Sequence, residues 1–208
     1  RLLAAGASVL RLSRRPLTPL PGCVDVVGDM GDAGLWIDLA GRVDTIFHLA
    51  GETSLYAAER DPLGSLAANV IPVLHAIAAS RKAASRPFLV LAGTVTQFGL
   101  CGTDPVDETC PDRPVTVYDL HKLAAEQHVL MAARDGGIRG CCLRLANVYG
   151  AGPNPNGALD RGILNKVVRN ALIGQAVTIF GDGREIRDYV YLDDVAAAFM
   201  AAAQASDA

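Results

Sequence analysis

At 208 residues the chain has length enough for one sizeable domain with a buried core, and half of it is hydrophobic. A net charge of -3 gives no electrostatic case for nucleic acid or an anionic membrane as a partner. No apolar run is read as reaching the ~18 residues of a membrane span, so no membrane is expected.

Residues 1–6, Arg-Leu-Leu-Ala-Ala-Gly, read as the last turn of a helix closed by a glycine cap. There is no initial Met and no signal-peptide pattern, so residues are expected to be missing before Arg1. Short apolar strands are predicted over 9–12 and 24–27, the second ending at Gly28-Asp29. A short helix over 32–39 leads to a third strand over 43–51, which runs into a glycine turn. Helical periodicity follows over 65–84, interrupted at Pro72. A fourth strand covers 88–92 and ends in Gly93-Thr94. A second long helix covers 117–134, and a fifth strand covers 140–145. Apolar strands alternating with helices predict an α/β fold with a parallel sheet covered on both faces.

The five cysteines form no CxxC pair, and their odd number argues against a disulfide framework. Cys141 and Cys142 should point to opposite sides of a strand, as small buried thiols in a reducing cytosol. The expected location is therefore cytoplasmic. No His, Cys and carboxylate cluster has metal-ligand spacing, so no metal is expected.

In open parallel sheets, ligands bind beyond the carboxyl ends of the strands. Ser13, Arg14, Asp29, Ala50, Gly51, Thr94 and Asn147 all fall at such ends, which points to a dinucleotide laid across the sheet edge. Tyr118 and Lys122 are four residues apart, so on a helix they share one face. A free phenol titrates near pH ~10, and a neighbouring ammonium favours the phenolate. With a Thr hydroxyl brought close, such a pair suits proton transfer at a sugar or alcohol hydroxyl. The plain alternative is a half-buried helix aromatic beside a solvated lysine.

The chain resembles the extended short-chain dehydrogenase/reductases, specifically the nucleotide-sugar epimerase/dehydratase group. The matching pieces are Gly28-Asp29, the run His48-Leu49-Ala50-Gly51, Asn69, the segment 94–99, and Tyr118 to Lys122. Further on come Arg144 to Gly150, Gly152-Pro153, and the run from Gly181 to Val195. The resemblance implies a Rossmann-like doubly wound sheet, with residues 1–150 as the NAD(P)-binding domain. Residues 151–208 would begin a smaller C-terminal substrate domain. It also implies that the family's first strand and Gly-x-x-Gly-x-x-Gly turn are absent, so that both ends look truncated.

By the same resemblance, Tyr118 is the catalytic acid and base, Lys122 tunes it and binds the nicotinamide ribose, and Thr94 binds the reacting oxygen. Asp29 and Met30 would lie at the adenine, where the bland reading of Asp29 is a turn former. Leu49, Ala50 and Gly51 would let the backbone approach the cofactor. Asn69 matches the family's helix Asn, or is a buried amide bonded to backbone. Thr96, Asn147 and Arg187 join Thr94 as implied substrate contacts, a guanidinium suiting a diphosphate. Arg187 could instead pair with Asp188 or Asp193, and His48 is expected to pack at a strand end.

NAD users commonly carry an acid where this chain has Ser13-Arg14, so of NAD and NADP the sequence favours NADP. The dehydratases' Asp-Glu pair is replaced by Val95-Thr96, which argues against dehydration. The leading expectation is a nucleotide-sugar 4-epimerase acting by transient hydride transfer. The alternatives are an NADP-dependent reductase of a keto-sugar or small carbonyl, and a non-catalytic dinucleotide-binding regulator. Family analogy adds a homodimer through a four-helix bundle of the helices over 65–84 and 117–134.

Overall fold

The computed structural model describes residues 1–102, 105–150, 163–179, 181–184 and 186–205, so Gly152-Pro153 and Glu185 of the family motifs lie outside the described residues. A short 3-10 turn at Leu3–Ala5 closes on Gly6, whose φ of 81° is the left-handed cap read from the sequence. Then come β1 (Val9–Ser13), β2 (Cys23–Val27), α1 (Ala33–Ala40) and β3 (Thr45–His48). Next follow α2 (Leu55–Arg60), α3 (Pro62–Asn69), α4 (Ile71–Lys82), β4 (Phe88–Thr94), α5 (Val117–Arg134) and β5 (Arg139–Leu145). The last described elements are β6 (Asn147–Tyr149), α6 (Ile163–Leu172), β7 (Tyr189–Tyr191) and α7 (Leu192–Gln204).

All the strand pairs among the described residues are parallel. β1 pairs with β2, the order β3-β4-β5 forms a second sheet, and β6 pairs with β7. Among the described residues no hydrogen bonds join β1 to β3. β4 is a continuous apolar run because both its faces are covered: Leu89, Val90 and Leu91 are buried. On one face Leu89 and Leu91 pack with Trp36, Val73, Ile77 and Val129 from α1, α4 and α5. On the other, Val90 meets Val195 and Phe199 of α7, so part of the stretch 151–208 returns to the sheet. Cys141 lies on the α7 face and Cys142 on the opposite one, as alternation along a strand requires.

The helical run predicted over 65–84 is two helices that meet at Val70. Pro72 lacks an N–H and crowds the preceding turn, so it is accommodated in the first turn of α4. Asp61 starts α3 by accepting from the Gly64 N–H at 2.9 Å, with Pro62 at the first helical position. Taken together, Pro62–Lys82 is 21 residues long and holds an 18-residue window of mean hydropathy 1.5, which passes for a membrane span by length and composition and corrects the sequence reading. Half of that stretch is buried inside the protein, and Val73, Ala76 and Ile77 belong to the core, which is how a core helix behaves.

α5 is fixed to the sheet by polar as well as apolar contacts. Glu126, 2% exposed, receives the Arg144 guanidinium through Nε at 3.1 Å and Nη2 at 2.5 Å, and the Gln97 amide at 3.1 Å. Arg144 also reaches Asp112 at 3.0 Å and lies 4.7 Å over the Phe98 ring. Burial pushes the Glu126 carboxyl up, but the hydrogen bonds from Arg144, Cys142 and Gln97 outweigh it and hold it below the usual range. Removing one partner of a buried pair leaves the other uncompensated. Glu126→Ala is therefore expected to lower unfolding free energy by about 3 kcal/mol in denaturant titrations, with Glu126→Gln losing less.

Candidate functional site

A cleft of about 590 Å³ opens at the carboxyl ends of β1, β2 and β3. Ser13 and Arg14 enter from β1, Asp29 and Met30 from β2, and Leu49, Ala50 and Gly51 from β3. Of the residues that the sequence assigned to a cofactor, the structure brings these seven into one concavity, whereas Asn69, Tyr118 and Lys122 are not part of its lining. The Ser13 hydroxyl donates to the Arg15 carbonyl, which closes the turn after β1. Asp29 Oδ1 accepts from the Gly31 N–H at 2.8 Å, so it forms the local turn and lines the cleft at once. The Met30 carbonyl is held by Trp36 Nε1 at 2.8 Å.

Gly51 sits against α3 so closely that a Cβ would lie 2.5 Å from Asn69 Oδ1. That oxygen is buried and has no hydrogen-bond partner among the described residues. Asn69 is not bonded to backbone: its Nδ2 donates to Ser65 Oγ at 3.3 Å, and Ser65 Oγ meets His121 Nδ1 at 2.9 Å. A buried polar chain thus runs from the cleft floor to α5. His121 was not singled out in the sequence, although Ser65 and Asn69 four apart on a helix hinted at a polar stripe inside the fold.

The second cluster joins the end of β4 to the start of α5. Thr94 is the last residue of β4, and its Oγ1 lies 2.9 Å from Thr96 Oγ1. Thr96 donates in turn to Asp119 Oδ1 at 2.5 Å. Asp119 is 2% exposed, in the first turn of a helix capped by Thr116, whose hydroxyl accepts from its N–H at 3.1 Å. Sequence reasoning passed over Asp119; its only signal was a Thr-x-x-Asp pattern beside Tyr118.

Tyr118 and Lys122 share a face as expected, but their electrostatics differ from the expectation. The Tyr118 phenol is pushed up, by burial first and the Asp119 carboxylate second, while a hydrogen bond with Thr94 opposes them. Lys122 is not among the causes. Its Nζ turns inward and donates to the Ala92 carbonyl at 2.5 Å, and burial lowers its own pKa. The predicted lowering of Tyr118 by Lys122 is thereby corrected.

Asn147 and Arg187 lie at the β6–β7 end, both exposed. Asn147 Nδ2 donates to the Asp188 carbonyl at 2.9 Å, which ties it to the segment that carries Arg187. Arg187 donates to the Ile186 carbonyl rather than pairing with Asp188 or Asp193, and Asp193 pairs with Arg1 instead.

The chain belongs to the NAD dependent epimerase/dehydratase family, whose sequence profile matches residues 1–208. It is 32% identical over 178 residues to a UDP-glucose 4-epimerase of Mycolicibacterium smegmatis, covering 85% of this chain and 56% of that protein. It is 38% identical over 159 residues to a dTDP-6-deoxy-L-talose 4-dehydrogenase (NAD(P)(+)) of Kitasatospora kifunensis, covering 73% of this chain and 48% of the relative. The UDP-glucose 4-epimerase of Thermus thermophilus, solved in complex with NAD, superposes with a TM-score of 0.81 at 27% identity, covering 97% of this chain and 68% of that one. The chain spans about half the length of the curated relatives it matches.

His48 ends β3 under the cleft, as its expected packing role implied. It is stacked on Trp36 at 5.7 Å, and neither ring nitrogen has a partner among the described residues. Burial, with Lys122 adding to it, lowers its pKa to about 4. Its unfolded value is near 6.5, so between about 6.5 and 4 the unfolded chain binds the extra proton. Stability should therefore fall as pH drops through that window, by about 3 kcal/mol in all, and His48→Gln should flatten the fall in thermal melts taken against pH.

Proposed function

We propose that this chain is the cofactor-binding and catalytic part of an NAD(P)-dependent nucleotide-sugar epimerase of the 4-epimerase type. The observation that carries the assignment is the convergence of Thr94 and Tyr118, from β4 and α5, beside a strand-end cleft. The cleft fits a dinucleotide: the unpartnered Asn69 Oδ1 awaits a donor, and the missing side chain at Gly51 leaves the backbone open to close approach. Ser13, Arg14, Asp29, Met30, Leu49, Ala50, Gly51 and Asn69 would hold it. The binding unit is residues 1–150 with α7 as its second cover, and the substrate region takes most of the remainder.

When bound, NAD supplies the acceptor and donor of the hydride and a positive charge near the phenol. Tyr118 then takes the proton from the sugar hydroxyl and returns it, and Thr94 steadies the reacting oxygen. Lys122, anchored on Ala92, holds α5 at its distance from β4 and reaches the nicotinamide ribose. Asn147 and Arg187 engage the diphosphate of the sugar nucleotide. Likeness to the Mycolicibacterium smegmatis UDP-glucose 4-epimerase, and to the Thermus thermophilus enzyme in its complex with NAD, supports both substrate class and cofactor. The exposed α5 residues Leu120, Leu130 and Met131 support a homodimer through the α4 and α5 face.

A second assignment has its own support. The 38% identity to a dTDP-6-deoxy-L-talose 4-dehydrogenase (NAD(P)(+)), with Ser13 and Arg14 at the cleft in place of an acid, favours a keto-sugar reductase using NADP.

The deciding experiment uses the full-length protein with UDP-glucose, together with an assay of the dinucleotide released on denaturation. The epimerase predicts co-purified NAD and formation of the 4-epimer, with kcat lowered about a hundred- to ten-thousand-fold in Tyr118→Phe. An empty protein that oxidises NADPH with a keto-sugar supports the reductase. Full turnover in Tyr118→Phe would contradict both.

A further inference from the structure

The segment that joins Thr94 at the end of β4 to Tyr118 at the start of α5 doubles back, and its two limbs are clamped at their base. The Arg113 N–H donates to the Gln97 carbonyl at 2.9 Å, and Gln97 Nε2 donates to Asp112 Oδ1 at 3.3 Å. Gly99, at a φ of 70°, lies so close to the Arg113 carbonyl that a Cβ would have no room. Two residues beyond Gly99 on one limb stands Cys101, and three before Arg113 on the other stands Cys110. The opposed limbs bring these side chains together, and a hydrogen bond joins the two thiols. Cys101 Sγ also donates to the Gly99 carbonyl at 3.7 Å, and Cys110 Sγ lies 4.0 Å from the Pro111 carbonyl. The Cys110 N–H donates to the Asp107 carbonyl at 3.1 Å, which closes the turn before it.

We infer that Cys101 and Cys110 are a redox pair, which a peroxide converts to a disulfide and a dithiol converts back. Cys101 is exposed and Cys110 half-buried, so Cys101 meets the oxidant. Its thiolate attacks one peroxide oxygen, the O–O bond breaks, hydroxide leaves and takes up a proton, and a sulfenic acid remains. The Cys110 thiolate then attacks that sulfur: the S–S bond forms, the S–O bond breaks, and water leaves with the proton that Cys110 gave up. In sum the two thiols lose two electrons and two protons, and the peroxide becomes two waters. The Cys110 thiol is pushed up, first by loss of water and next by Cys101, against a smaller opposing pull from Arg113. That suits it to the second step and not the first.

A spacing of nine residues matches no CxxC pattern, and the pairing depends on the clamp between Gln97 and Arg113, so local sequence carries no sign of it. The inference stands apart from the proposed hydride-transfer site. An oxidant acts on the segment that connects Thr94 to Tyr118 whichever reaction that site performs.

The test exposes reduced full-length protein to stoichiometric hydrogen peroxide, caps the remaining thiols with iodoacetamide, and reads a tryptic digest by mass spectrometry. Arg86 and Arg113 both precede proline, so one tryptic peptide, 83–122, holds both cysteines. It should appear uncapped and two hydrogens lighter than the reduced peptide, and dithiothreitol should restore both caps. Cys101→Ser and Cys110→Ser should each abolish this product. In glutathione redox buffers the bond should be held at least about ten-fold more strongly in folded than in urea-unfolded protein, because the fold adds to what the short intervening chain supplies. Capping of both thiols after peroxide would overturn the inference. So would oxidation of Cys101 with no internal bond, or a bond of equal strength in folded and unfolded protein. None of these outcomes touches the epimerase assignment.

Discussion

The site depends on how α5 is seated. Two inward-pointing charged groups on one helix face, Lys122 and Glu126, find their partners on the sheet: the Ala92 carbonyl of β4 and the Arg144 guanidinium of β5. Neither charge could be left buried without those partners, so the helix has one azimuth and one height on the sheet. That seating brings Tyr118 to the end of β4, where Thr94 stands. It also sends Asp119 to Thr96 and His121 to Ser65. The chemistry proposed for the outer end of the helix rests on contacts made further along it.

The same seating links two regions that the sequence lists far apart. From His121 the polar chain runs through Ser65 to Asn69 and ends under Gly51 at the cleft floor. A ligand that reaches Asn69 is thereby coupled, through buried hydrogen bonds, to the helix that carries Tyr118. Behind Met30 of the cleft wall, Trp36 and His48 are stacked and buried in the core.

Much of the frame was legible, because it follows from period and punctuation. The strand at Phe88–Thr94 is a buried apolar run, Gly6 is a left-handed cap, and Cys141 and Cys142 alternate across their strand. The cofactor residues were legible as a group because topology forces strand ends to one edge. What escaped depends on contacts distant in sequence. The interruption read at Pro72 fell within two residues of the break at Val70, whereas the return of α7 to Val90 had no local signal. The spacing of Tyr118 and Lys122 predicted a shared face, but not that Lys122 would turn to Ala92 and leave Asp119 as the charge acting on the phenol. Side-chain direction is set by the partner, and spacing does not name the partner.

The central claim, that the strand-end cleft over Gly51 receives a dinucleotide, can be read from one reporter. Trp36 is the single tryptophan of the chain, and its Nε1 holds the Met30 carbonyl at 2.8 Å at the cleft wall. NAD titrated into cofactor-free full-length protein should change Trp36 fluorescence in a saturable way. Gly51→Ala, whose methyl must displace Asn69, should weaken that response at least about ten-fold. A wild type whose fluorescence does not respond, or a Gly51→Ala protein that titrates identically, would contradict the account.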